Sequence, residues 1–584
     1  MDRTGQRRGS NALVRKLVVI LTCVAVTAGI EAPAQAAPAP GAAAVQAARS
    51  ETLAQATRRR CRPTRLRRCP VVRRAAPVRG GTLVVALTAD PGQLNPAITT
   101  SGVVHPAAEP MFNGLVSIGE DSKPVGELAQ SWRITEGGAR YTFTLRAGVK
   151  WHDGQPFTSA DVKYTYEQVL LKFHARTRAS MAGALDGIDT PNARTVVFRF
   201  KRPYAPLLQQ MDVTEGPILP KHIYEGSDPN TNPANTRPIG TGPFKFVSYE
   251  QGAQVTLVRN PTYFRAGLPY LDRMVLRVIP DANTRIAALE AGEVDWLPGV
   301  PLPAADRARL NSRLALTRTA WNPGGANCII TMSYNLDRPA LRDVRVRRAI
   351  AHAINRDQFL SQVLFGEGRV ADAPISSGIP FAHATTVHIP GFSPALAGQL
   401  LDAAGWPREG DVRVARGVAG VSDGTRLALD FVQRPADGKY GEIVRQRLAA
   451  VGIPVTLKTL EDLVFRPTIF RDRNFDLNVI SYCNATDPQV GVRRMYHSNQ
   501  IGPTDFTNSS GYRNTEVDTL FDQAAQAVDR NEARRIYTRI QEILVEDMPY
   551  LWLVETLSTR AHPAVCTGFR YNSGLFAEAA FCRR

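Results

Sequence analysis

Tyr141-Thr142-Phe143-Thr144-Leu145-Arg146, Trp151-His152-Asp153-Gly154 and Phe157-Thr158-Ser159-Ala160-Asp161-Val162 follow one another within 22 residues of this 584-residue chain. Tyr141, Phe143 and Leu145 alternate with Thr142 and Thr144, the period-two pattern of a strand with one buried face. Thr158-x-x-Asp161 is a helix-capping signal, and Val162, Tyr166, Val169 and Leu170 then share one helical face. The intervening Trp151-His152-Asp153-Gly154 sets an imidazole beside a carboxylate; between a strand and a capped helix it reads as a turn fixed by local hydrogen bonds. The same mixture extends outward. Residues 81–87, 195–200, 254–258, 274–279 and 454–457 read as strands. Thr515-x-x-Asp518 opens a helix carrying Val517, Leu520, Phe521 and Ala524, and Ile536, Tyr537, Ile540, Ile543 and Leu544 mark another. Interleaved strands and helices without a fixed-period repeat indicate α/β or α+β layers, not a β-sandwich or a helix bundle.

Composition sets the outer limits. With 44% hydrophobic and 21% charged residues the chain is neither a disordered polymer nor a multi-span membrane protein. The net charge of +18 suggests a nucleic-acid partner until it is mapped. Residues 1–80 hold sixteen Lys/Arg against three Asp/Glu, which leaves the body only mildly basic. Arg7, Arg8, Arg15 and Lys16 precede an apolar run over 17–30 and then Ala34-Gln35-Ala36. That is the pattern of a secretory signal over 1–36 with cleavage after Ala36, and the apolar run falls short of the roughly 20 residues of a membrane span. An uncleaved signal anchor is the alternative. Arg7-Arg8 also fits a twin-arginine signal, and Cys23 lacks the small preceding residues of a lipidation site, so lipid anchoring stays open. Residues 37–79 are rich in Ala, Pro and Arg and read as a flexible tail. Its arginines either touch anionic lipid or cell-wall polymer or form a solvated linker.

Six cysteines remain after cleavage: Cys61, Cys69, Cys328, Cys483, Cys566 and Cys582. An even number in an exported chain favours disulfides, with about 15 pairings open to six cysteines. The absence of C-x-x-C and of helix-face histidine pairs argues against a zinc site. Gly420-Val421-Ser422-Asp423-Gly424 matches the G-x-S-x-G nucleophile elbow, but that motif needs a helix after the serine. Residues 426–431 are strand-like, so a hairpin turn is expected and a hydrolase is the lesser alternative. Asn484-Ala485-Thr486 and Asn508-Ser509-Ser510 are formal glycosylation sequons.

The order of short motifs carries the most information. Leu94-Asn95-Pro96, Gly114-Leu115 and Leu128-Ala129-Gln130-Ser131-Trp132 precede the block quoted at the start. Gly240-Thr241-Gly242-Pro243-Phe244, Asn260-Pro261-Thr262-Tyr263-Phe264, Leu289-Glu290-Ala291-Gly292-Glu293-Val294-Asp295-Trp296, Asp343-Val344-Arg345-Val346-Arg347-Arg348-Ala349-Ile350, Ala404-Gly405-Trp406-Pro407 and Gly511-Tyr512 follow it. Over about 80–555 this order resembles the family 5 extracellular solute-binding proteins, the dipeptide, oligopeptide and nickel receptors of ABC importers. The resemblance implies an α/β, two-lobed, type II periplasmic-binding-protein-like fold with a subdomain inserted in lobe I. Lobe I would comprise 81–120, 230–325 and 556–584, the insert 121–229 and lobe II 326–555, with hinge crossings near 323–330 and 553–558.

It further implies an extracytoplasmic receptor, not an enzyme, without cofactor or resident metal and monomeric. Such a receptor closes on a peptide or peptide-like solute and hands it to permease subunits, with no nucleic-acid partner. Family members anchor a peptide's amino group with an Asp in the loop matching 481–488. Here Asn484 or Ala485 holds that position, depending on alignment, and neither is acidic. Asp487 is a substitute anchor or a turn residue. The departure leaves room for a non-peptide solute such as an oligosaccharide, amine or metal chelate, and the Arg-rich tail leaves room for a polyanion-binding envelope protein. From resemblance and position, the expected ligand contacts are Ile98, Thr99, Thr100, Trp321, Tyr334, Tyr482, Asn484, Ala485 and Asp487. The resemblance also implies a Cys328–Cys483 disulfide; Cys566–Cys582 is a second candidate and Cys61–Cys69 a third.

Overall fold

Apolar alternation builds three main sheets in the computed structural model, which describes residues 76–119, 123–297, 310, 314–319, 327–570 and 574–583. The leader, the Arg-rich tail, Cys61, Cys69 and Trp321 lie outside the described residues. Thr82–Leu87 pairs in parallel with Arg273–Val278, and antiparallel Gln254–Arg259 and Phe244–Glu250 complete that sheet. Arg140–Leu145 lies inside a second, antiparallel sheet, between Ala129–Thr135 and Thr195–Phe200, with Leu185–Asn192 at the far edge. Tyr141, Phe143 and Leu145 are its buried face. The helix Ser159–Tyr164 starts at a complete capping box of Thr158 and Asp161. It continues through the π-helical segment Thr165–Leu170, with Val162, Tyr166, Val169 and Leu170 fully buried.

The third sheet has six strands in the order Gly368–Val370, Tyr550–Thr556, Asn327–Tyr334, Leu477–Asn484, Leu429–Gln433 and Val455–Thr459. Pairing is antiparallel as far as Leu477–Asn484 and parallel beyond it. Buried apolar residues form two large clusters. One draws on the first two sheets and on residues 566–580, the other on 329–554. The inserted sheet therefore shares a core with the first sheet, while the third sheet has its own. Beside this junction, Leu314–Thr319 pairs antiparallel with Ser558–Pro563. Just beyond each of these strands, Asn327–Tyr334 pairs with Tyr550–Thr556. Two adjacent chain crossings thus join the halves. Among the described residues no helix is long and apolar enough to cross a membrane.

Two local readings are corrected or resolved by the structure. The helix Thr515–Gln526 is capped by Asn514, whose side chain accepts from Glu516 N and Val517 N. Asp518 instead accepts from Ser498 N at 2.8 Å, because this carboxylate is drawn to a neighbouring loop. Gly420–Gly424 is a hairpin end: Gly424 N donates to Ala415 O and Ala415 N to Thr425 O, and the next element is the strand Leu429–Gln433. Ser422 is exposed on that turn, with no helix behind it to support an oxyanion.

His152 shows why the block quoted first and Gly240-Thr241-Gly242 occur together. The imidazole is buried; Nε2–H donates to Gly242 O at 3.0 Å, and Nδ1 accepts from Gly240 N at 3.2 Å. His152 N also donates to Gly240 O. A Cβ on Gly240 would lie 1.8 Å from Met111 O, and one on Gly242 2.4 Å from the Met111 carbonyl carbon, so only glycine passes here. Burial lowers the His152 pKa to about 4, because a charged ring could neither be hydrated nor keep Nδ1 as an acceptor.

Since this folded-state value lies below the unfolded value of about 6.5, the unfolded chain binds a proton that the folded chain refuses. Its contribution is complete above about pH 6.5 and shrinks by about 3 kcal/mol as pH falls to 4. Denaturant midpoints measured from pH 4 to 7 should show this extra slope in the wild type relative to His152→Asn. Parallel pH profiles would contradict the assignment.

Candidate functional site

Leu477–Asn484 lies in register with Asn327–Tyr334, and this pairing puts Cys328 directly opposite Cys483, where they form a disulfide. The loop that follows folds back on the strand end. Ala485 N donates to Val490 O, Val490 N to Asp487 O, and Gln489 N to the Asp487 carboxylate at 2.9 Å. Gly491, at φ +121°, closes the turn, because any Cβ there would sit 2.6 Å from Asn484 Oδ1. Asp487 is therefore engaged as a turn cap, with Tyr537 Oη donating to the same Oδ1 at 3.4 Å, and burial raises its pKa.

This loop faces the other half of the molecule. Thr486 Oγ1 donates to Gln209 Oε1 at 2.7 Å, and Arg493 Nη1 to Ala179 O at 2.6 Å. Ala205 N donates to Ala525 O at 3.0 Å, and Arg178 bonds Thr504. Among the described residues, a polar group with few water contacts gathers at this junction. His105 Nδ1 meets Glu109 Oε1 at 2.7 Å, and its Nε2 bonds Thr99 O at 3.0 Å. The His105 and His174 rings lie 6.3 Å apart. Arg176 grips Glu215 with two nitrogens, Nη2 to Oε1 at 2.7 Å and Nε to Oε2 at 2.8 Å. Arg494 approaches from the loop side. Its pKa falls to about 9 through burial and, next, repulsion from Arg176, so it stays charged at neutral pH. Burial, with repulsion from Arg176, His105 and Arg494, drives His174 well down and keeps it neutral.

The expected contacts divide under this geometry. Ile98, Thr99 and Thr100 are partly exposed on the loop that His105 fastens. His105, which bonds Thr99 O, lies beside the His174 ring, and on the loop side Arg494 bonds Cys483 O. Ala485 is partly exposed, and Asn484 is buried with its Oδ1 unpaired. Tyr482 lies under the loop at 1% exposure and donates to Thr507 O. Tyr334 is wholly buried and donates to Arg347 O at 3.2 Å, so core packing accounts for it. Asn508 is buried like Asn484, which puts both sequons inside the fold.

Sequence reading missed His105, His174, Arg176, Glu215 and Arg494. One signal was available: Arg493-Arg494 stand between Val490, Val492 and Met495, Tyr496, and charges inside an apolar run need buried partners.

Two other features were candidates. Asp372, His383 and Glu555 present ligand atoms within 4.8 Å of one another. Arg369 bonds Asp372 and lies 3.8 Å from Glu555, while Ser377 donates to both Glu555 oxygens, so positive charge and donors are already supplied. A cavity of about 680 Å³ on the inserted subdomain is lined by Lys163, Lys172 and Lys221. Each of these is paired, to Glu167, Gln168 and Glu225 respectively.

Comparison with known proteins follows the same outline. Residues 123–503 match the family described as bacterial extracellular solute-binding proteins, family 5 middle. The oligopeptide-binding protein AppA of Bacillus subtilis is 29% identical over 513 residues, covering 85% of this chain and 90% of that protein. Protein XP55 of Streptomyces lividans is 30% identical over 500 residues, covering 81% and 84%. The structure of B. subtilis AppA in complex with a nonapeptide superposes with a TM-score of 0.77 at 26% identity, covering 87% of this chain and all of that one.

The Cys328–Cys483 bridge closes 155 residues, which gives it a large effect on the unfolded chain. Replacing both cysteines by serine should lower unfolding free energy by about 2–5 kcal/mol, read from urea midpoints. Non-reducing peptide mapping should recover the 328/483 and 566/582 peptides as linked pairs; free thiols at these four positions would contradict the geometry.

Proposed function

The chain belongs to the family 5 bacterial extracellular solute-binding proteins, and from that premise we propose that it is the peptide receptor of an ABC importer. It captures a peptide or peptide-like solute between two lobes at the extracytoplasmic face of the membrane and delivers it to permease subunits. Residues 1–36 direct export, and 37–79 give the body reach from the envelope.

The observation that carries this reading is the loop 484–491, braced by Cys328–Cys483 and bonded across the junction to Gln209. Two strand crossings join halves with separate cores, so the halves can turn about the crossings without repacking either core. A solute that touches both lobes favours the closed form by its differential affinity for the two states. Capture and release then require hydrogen bonds and burial, with no bond made or broken in the solute. The binding of a nonapeptide by a relative of similar length and fold supports peptides as the solute class.

Native mass spectrometry of the secreted protein, compared with the denatured chain, tests the reading. A ladder of peptide masses lost on denaturation is the expected result. A single non-peptide mass would replace the solute class, and no adduct together with no melting shift across a peptide library would overturn the receptor reading.

A further inference from the structure

Two of the three guanidinium nitrogens of Arg494 hold it to the ligand loop. Nε donates to Gly491 O at 3.2 Å and Nη2 to Cys483 O at 3.3 Å, with the group 5.9 Å from the centre of the Tyr482 ring. Nη1 has no hydrogen-bond partner, although the side chain is only 3% exposed. A guanidinium has five donors and no acceptor, and a buried charged donor left unpaired is costly. The acids nearby are already engaged. Glu215 is bound twice by Arg176, and Glu109 is bound by His105. Burial, then repulsion from Glu215, pushes Asp212 up to about 8, which leaves it protonated at neutral pH. Asn484 Oδ1 and His174 Nε2 are also buried without a partner here, and Asn484 abuts the same Gly491 whose carbonyl holds Arg494.

We propose that Arg494 Nη1 and Asn484 form an anion subsite of the ligand cleft that takes a carboxylate of the bound solute. This deepens the receptor reading and rests on it. An ammonium held by this loop would need an acid there, whereas Asn484 and Ala485 are uncharged and the charged side chain that bonds the loop and keeps an unpaired donor, Arg494, is a cation. The polarity of the loop toward its solute is thereby reversed. A carboxylate offers the acceptor that Nη1 lacks, and a neighbouring amide N–H offers the donor that Asn484 Oδ1 lacks. A peptide C-terminus presents both, and so does an acidic side chain beside its own backbone amide.

Three synthetic libraries of three- to nine-residue peptides test this by thermal shift and calorimetry. The first has free C-termini and neutral side chains, the second the same sequences as C-terminal amides, and the third amides carrying one Asp or Glu. Wild-type protein should bind the first or the third at least tenfold more tightly than the second, and which of them does so identifies the source of the carboxylate. Arg494→Gln should abolish the preference, and Arg494→Lys, which keeps the charge, should restore part of it. Equal binding of acids and amides by the wild type would overturn the subsite and leave the receptor reading intact; this arm needs no variant to fold. An undiminished preference in Arg494→Gln would also overturn it. Silence of all three libraries would overturn the peptide reading itself, and the subsite with it.

Discussion

The strand Asn327–Tyr334 is paired on both sides, with Leu477–Asn484 on one flank and Tyr550–Thr556 on the other, and the remaining architecture depends on that double ladder. A strand hydrogen-bonded along both edges cannot slip by one residue without moving every side chain to the opposite face, and here both faces are buried from Ile329 to Tyr334. Its register therefore fixes where Cys328 meets Cys483 and where the loop 484–491 leaves the sheet. The same strand follows one chain crossing, and its partner Tyr550–Thr556 precedes the other. One set of backbone hydrogen bonds thus places both the second chain crossing and the loop 484–491, and in the receptor proposed above that loop would travel with its lobe.

Much of this was legible because it is local. The Tyr141–Leu145 alternation, the Thr158/Asp161 capping box and the turn at Gly420–Gly424 are decided by residues within a few positions of one another. The Cys328–Cys483 bridge was legible only by resemblance, since 155 residues separate its ends. What was not legible depends on distant pairing. Asn514 outcompeted the Thr515 signal because Asp518 was drawn to Ser498, which no local window contains. Tyr334 looked like a stacking aromatic, but its partner is the Arg347 carbonyl within the core. The charged group around Arg176 and Arg494 is assembled from four segments spread over some 390 residues, so neither spacing nor periodicity could reveal it.

His152 and Arg494 are opposite solutions to one constraint, that a buried polar group must find partners. His152 meets it internally: both ring nitrogens are used, the ring stays neutral, and the adjacent glycines let the backbone approach closely enough to supply the bonds. Arg494 meets it only in part, keeping its charge and one nitrogen unused. Unpaired atoms also occur in the scaffold, at Trp151 Nε1 and Trp406 Nε1 for example, but Arg494 is a charged one at the junction of the two halves.

That difference bears on the energetics of closing. In the receptor proposed above, the closed form holds Arg494 and the Arg176–Glu215 pair out of water, and such desolvation costs several kcal/mol per ion unless the surroundings compensate. Arg176 and Glu215 compensate each other through two short contacts. For Arg494, two backbone carbonyls compensate incompletely. In that proposal, a closed but empty cleft would carry this residual cost and the free protein would favour the open form. A solute bearing a carboxylate removes the cost only when the lobes meet around it. Its affinity for the closed form then exceeds that for the open form by the same amount, and a factor of about 10⁴ in that ratio, about 5.5 kcal/mol, is enough to turn a mostly open population into a mostly closed one. Under the subsite proposed above, the imperfectly paired arginine would couple occupancy to closure, the coupling by which a receptor of this family would signal its loaded state.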